Sequence, residues 1–143
     1  MRITLPTQTD PAVTLLPSGV QLKAHTLEQD FLHAPDATNV TVLVRNLPYT
    51  SYALAAPYHL DGEMVRIVAQ FKSSALEGLF ISMESDSKSW RDWSEADELN
   101  RKQRLDLILE RTYGQPPYHH AWGEVRSGYD PRGGNSAISI RFF

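Results

Sequence analysis

The chain contains no cysteine. That absence removes thiol nucleophiles, thiolate metal sites and intrachain disulfides, so packing alone must hold the fold. Also missing is any run of about 18 apolar residues, the length a membrane-crossing helix needs. The opening residues, Met1-Arg2-Ile3-Thr4-Leu5-Pro6, lack the apolar core of a secretory signal. A cytoplasmic location without a membrane partner is expected on those grounds. Basic charge is scarce too: 14 Lys plus Arg stand against 17 Asp plus Glu, a formal net charge of -3. Nucleic acid is disfavoured as a partner, because its binding rests on neutralising phosphates with concentrated basic surface.

Catalytic signatures are equally sparse. There is no G-x-S-x-G elbow to expose a nucleophilic serine. Gly133-Gly134 falls in a hairpin pattern and not before a helix, so no phosphate-cradling loop is present. His119 and His120 are adjacent on a predicted strand and point to opposite faces, which prevents joint chelation of one ion. No metal, no cofactor and no catalytic residue is implied. Carboxylates are plentiful without any spacing that selects a pair; Glu124 with His120, expected on one strand face, is the basis for an alternative reading as a small hydrolase.

What is present is an ordinary globular composition, 41% hydrophobic and 22% charged over 143 residues. It predicts one domain spanning residues 1–143. The first forty residues offer short apolar pieces, Arg2 to Leu5, Ala12 to Leu16 and Val20 to Leu22, broken by prolines and read as short or edge strands. Thr26 is placed to cap a short helix over Leu27 to Leu32. From Asn39 the alternation of Val40, Val42 and Val44 predicts a strand. Tyr52 to Tyr58 and Glu63 to Phe71 flank Asp61-Gly62, a strong type I′ hairpin signal. Gly78 to Met83, apolar on both faces, reads as a central strand.

Ser94 is a plain N-cap for a helix reaching Tyr113, with Glu95, Asp97 and Glu98 in its first turn and Gly114 at its stop. Asp97 with Arg101 and Glu98 with Lys102 stand at i,i+4 spacing. Its second half carries the apolar stripe of Leu105, Ile108 and Leu109. Two readings of its polar start remain open. Either the first turns overhang the sheet into water, or Glu98 and Arg101 lie at the sheet's rim beside Trp90 and Trp93 as a recognition surface. The chain closes with a predicted hairpin, Ala121 to Tyr129 and Ser136 to Phe142, in which Ile138, Ile140 and Phe142 share the buried face.

The residues Trp90-Arg91-Asp92-Trp93-Ser94-Glu95, the helix with Glu98, Arg101-Lys102 and Asp106, then Trp122-Gly123-Glu124-Val125, Ser127 and Tyr129-Asp130-Pro131-Arg132 form a spaced pattern. It resembles a family of small bacterial proteins whose C-terminal halves share W-x-x-W-S-E, a helix, and W-G-x-V-x-S-x-Y-D-P-[RK]-x-G. The likeness covers the last half to two-thirds of the chain and departs at Leu107 and Ile108, where the family is associated with a tryptophan. It implies no catalytic residue and points toward neutralisers of a neighbouring toxin.

Taken together these readings predict an α+β fold: an antiparallel sheet of about six or seven strands, one long helix over 94–113 on one face, and a C-terminal β-hairpin. The expected function is non-enzymatic protein binding of the immunity type, with a toxin as partner. Trp90, Arg91, Trp93, Glu98, Arg101 and Lys102 are the candidate binding residues, since tryptophan and arginine anchor interfaces. A hydrolase, or a subunit of a homo-oligomer or phage-derived assembly, are the alternatives.

Overall fold

A computed structural model of the chain describes residues 1–83, 94–130 and 135–143. Two tight turns organise its centre. Asp61-Gly62, with φ of 50° and 82°, has the double positive φ of a type I′ turn and joins β6 (Tyr58–Leu60) to β7 (Glu63–Lys72). Ser73-Ser74, with φ of 52° and 68°, leads from β7 into β8 (Ala75–Met83) without a glycine. Because side chains alternate along β7, this register sends Val65, Ile67, Ala69 and Phe71 together into the core, opposite Leu79 and Ile81 of β8.

Among the described residues the sheet has eleven strands, more than the six or seven expected. The difference has local causes. The proline-broken pieces β1 (Arg2–Thr4), β2 (Val13–Leu16) and β3 (Val20–Leu22) all join the sheet. The stretch read as one strand over Tyr52 to Tyr58 divides into β5 (Tyr49–Ala53) and β6, which pair with different parts of the same edge of β7. Tyr118–His120 forms β9, a short strand beside β10 (Gly123–Asp130). The main path runs β3-β2-β1-β6-β7-β8-β11-β10-β9, and β4 (Thr41–Asn46) branches off through β5. Pairing is antiparallel except where Arg2 of β1 lies parallel to His59 of β6.

The C-terminal ribbon is interior. β11 (Asn135–Phe142) sits between β8 and β10, with Ile138, Ile140 and Phe142 buried. β10 pairs with it from Gly123↔Phe142 to Asp130↔Asn135; the turn at 131–134 lies outside the described residues. Gly78 has a packing reason: a Cβ there would meet the Ile140 carbonyl oxygen at 2.5 Å, so a larger residue would push β11 away.

Both helices cover the same face. α2 (Glu95–Tyr113) lays Leu105, Ile108 and Leu109 over β10 and β11. At its start Ser94 caps through its side chain, which accepts from the Asp97 N–H at 3.3 Å. α1 (Glu28–His33) inserts Phe31 against Tyr52 and Phe71, ring centroids 5.8 and 5.3 Å away. Its expected Thr26 cap is not formed: Leu27 is the N-cap residue, and the Thr26 hydroxyl accepts from the Lys23 N–H instead.

Candidate functional site

The polar start of α2 does not overhang into water. Glu98 is buried, and its carboxylate clamps the helix to the sheet: Oε1 accepts from the Ser136 backbone N–H at 2.6 Å. The Ser136 hydroxyl returns a bond to the Glu98 carbonyl at 3.2 Å. Arg101 closes the cluster through Nε and Nη2, 2.9 and 2.8 Å from Glu98 Oε2. The pair therefore forms at i,i+3, not in the i,i+4 pattern expected for Asp97 and Arg101. Lys102 likewise reaches forward to Asp106 at 2.9 Å instead of back to Glu98. Of the six candidate binding residues, Glu98 and Arg101 are thus brought together inside the helix–sheet junction and Lys102 stands separately in an ion pair. Trp90, Arg91 and Trp93 lie outside the described residues.

Lys102 and Asp106 form one wall of a groove of about 390 Å³ between α2 and β10, whose floor includes Tyr118, Val125 and Ser127. The Ser127 hydroxyl is buried there without a hydrogen-bond partner among the described residues. Trp122 stands at the neighbouring corner. Its indole N–H donates to the Thr7 carbonyl at 2.9 Å, and its ring stacks on His120 at 4.6 Å with an interplanar angle of 5°. Tyr113 backs the same imidazole at 5.1 Å and gives its own hydroxyl proton to the Pro6 carbonyl. Burial raises the Tyr113 phenol well above its ordinary pKa, and burial together with the hydrogen bond to Asp36 does the same for Tyr58.

This arrangement undoes the expected Glu124–His120 pair. Glu124 lies across from His119 in the β9–β10 register, with the His119 Nδ1 at 3.4 Å. His120 points to the opposite face, into the aromatic stack, so no acid–base dyad joins it to Glu124.

The sheet's second face carries the feature that sequence reasoning missed. Among the described residues no helix covers it. Across the central strands the register aligns Val68, Phe80, Ser139 and Arg126 in one row, with Gly128 and Ala137 beside them. These residues, with Ser82, line a shallow depression of about 670 Å³. Phe80 is 41% exposed although β8 is central in the sheet. β8 is central, as its continuous apolar run predicts, with β7 and β11 along its edges, but among the described residues helices cover only one of its faces. A second exposed apolar region is the β4–β5 hairpin, where Val42, Leu43, Val44, Leu47 and Tyr49 all face solvent. The expected strand is there, without the core face its alternation suggested.

No protein-family model matches the chain, and no curated protein matches it. In three dimensions it is similar to a chain of a solved complex described as Rhs1-CT in complex with cognate immunity protein RhsI1. The TM-score is 0.57 at 18% identity, over 96% of this chain and 85% of that one. The likeness shows a shared fold. Among the described residues no helix is long and apolar enough to cross a membrane, and no group of three or more metal-ligating side chains gathers.

Proposed function

We propose that this chain is a non-enzymatic protein-binding domain of the immunity type, a cytoplasmic inhibitor that occupies a surface of a bacterial toxin. The observation that carries this reading is the likeness, over 96% of this chain and 85% of the other, to a chain from a complex of Rhs1-CT with its cognate immunity protein. The sequence resemblance to small bacterial proteins with the W-x-x-W-S-E and W-G-x-V-x-S-x-Y-D-P patterns points the same way. The charged side chains support it as well. Glu98 and Arg101 are spent on joining helix to sheet, and Arg104 with Glu63 and Arg111 with Asp61 tie α2 to β7 and its turn. Among the described residues, the sheet face opposite the helices is a broad surface suited to another macromolecule.

The test is co-expression with the product of the adjacent reading frame in a sensitive host. Growth protection and co-purification of a stoichiometric complex are expected. Absence of both ends the reading. The hydrolase alternative loses its one named pair with the separation of His120 from Glu124.

A further inference from the structure

The face of the sheet that no helix covers among the described residues differs in charge from the rest of the molecule. The whole chain has three more acidic than basic side chains. On the face formed by β7, β8, β11 and β10, Arg66, Lys72, Arg126 and Arg141 stand against Glu77, Glu124 and Asp130. The two signs also differ in reach. Arg126 is 70% exposed along its side chain, whereas its neighbour Glu124 is only 15% exposed and lies within 3.4 Å of both Arg126 and His119. Glu77 is half-buried and accepts from the Gln70 amide at 2.7 Å. Arg141 is exposed, and the Arg66 guanidinium is held over the Ala55 carbonyl. A molecule approaching this face therefore meets the exposed Lys72, Arg126 and Arg141, with Asp130 as the exposed acid among them, around an apolar centre of Phe80, Val68 and Ala137.

That layout, an aromatic anchor in a shallow depression with arginines at the rim, is the arrangement in which binding energy concentrates at protein interfaces. Its size is suitable. Four strands about 4.8 Å apart and about eight residues long span roughly 500 Å² in plan, before side-chain relief and the flanking strands are added. A standard interface takes about 800 Å² of accessible surface from each partner. Among the described residues the helix side is less suited to an acidic partner, because α2 exposes Glu95, Asp97 and Glu110 there and its groove with β10, about 390 Å³, is smaller than the depression of about 670 Å³.

We propose that the uncovered face of the sheet, with Phe80 as anchor and Arg126 and Arg141 at its rim, holds an acidic surface of the protein partner. This rests on the protein-binding reading above and adds to it the face and the partner's chemistry. The probe is the inactivated product of the adjacent reading frame, titrated calorimetrically into the full chain at about 50 mM and about 500 mM NaCl. Phe80→Asp is expected to weaken binding by about 30-fold or more, in the range of an interface anchor. Arg126→Glu with Arg141→Glu, two exposed positions that leave the core untouched, is expected to weaken it by about 10-fold or more. High salt is expected to weaken the wild-type complex and to matter less for the arginine variant. Leu107→Asp on the outer side of α2 and Val44→Asp on β4 are expected to bind as wild type, and circular dichroism checks that each variant is folded. A wild-type complex indifferent to both face variants, or broken by Leu107→Asp or Val44→Asp, overturns the assignment of the face while leaving the immunity reading standing. No wild-type complex at all removes the immunity reading and this inference with it. Self-association of the chain abolished by Phe80→Asp would show a second copy to be the occupant and would overturn the acidic partner.

Discussion

β7 and β4 are written in similar residues and end in opposite environments. In β7, Val65, Ile67, Ala69 and Phe71 are sealed; in β4, Val42, Leu43 and Val44 are 46, 53 and 49% exposed. The alternation that makes each a strand is a property of the strand itself. The difference lies in neighbours. β7 has partners along both edges, and the residues of α1 and α2 pack over the same core. Among the described residues β4 pairs with β5 alone, and the register shifts between Val42 and Val44. Such irregularities twist an edge strand away from further pairing, one way an apolar edge is kept from templating aggregation. Periodicity therefore reports that a strand has two faces, and only the surrounding elements decide whether either is roofed.

The largest expected effect comes from truncating the roofed strand. Phe71→Ala should destabilise by about 3–5 kcal/mol in a denaturant titration, because it removes an aromatic contact to Phe31 and Tyr52 and leaves a cavity. Val44→Ala, a truncation in the unroofed strand, should change stability by no more than about 0.5 kcal/mol. A large loss at Val44 would mean that β4 is covered in solution.

Next in size is Glu98→Ala. It leaves the Ser136 N–H and the Arg101 guanidinium without their acceptor in a largely buried site, an expected loss of about 3 kcal/mol by the same titration. The outcome separates a structural Glu98 from one that mainly contacts a partner, since a partner-contacting residue would lower affinity with little change in stability.

A smaller loss than that at Glu98 is expected under alkaline conditions. The Tyr113 and Tyr58 phenols are raised by burial, so above pH about 10 the unfolded chain releases their protons while the folded chain keeps them. Their contribution to stability is full below that pH and falls as pH rises further. Tyr113→Phe should cost about 1 kcal/mol near neutrality through the lost bond to Pro6, and should flatten the decline between pH 10 and 12. An unchanged slope would show that the phenol is not shielded.

Some of this was readable without coordinates. Asp61-Gly62 and the Ser94-to-Gly114 helix depend on φ preferences and capping within a few residues, and both stand where the sequence places them. The division of Tyr52 to Tyr58 between β5 and β6 was not readable, because it depends on where β7 offers an edge. The candidate residues divide in the same way. Glu98 and Arg101 were identified as a notable pair, but the partner that takes Glu98 into the interior, Ser136, lies 38 residues on. Phe80 carries no distinguishing signal in the sequence, because a continuous apolar run looks the same whether one face or two are covered.

By itself the amino-acid sequence determined the turns, the helix with its cap and stop, the alternation of the strands, and the lack of thiol chemistry, since each follows from the conformational and chemical preferences of neighbouring residues. Tertiary structure alone decided which strands share edges, which carboxylate is drawn inside, and which side of the sheet stays open. Those outcomes depend on groups tens of residues apart meeting in space, and burial is a property of the assembled layers.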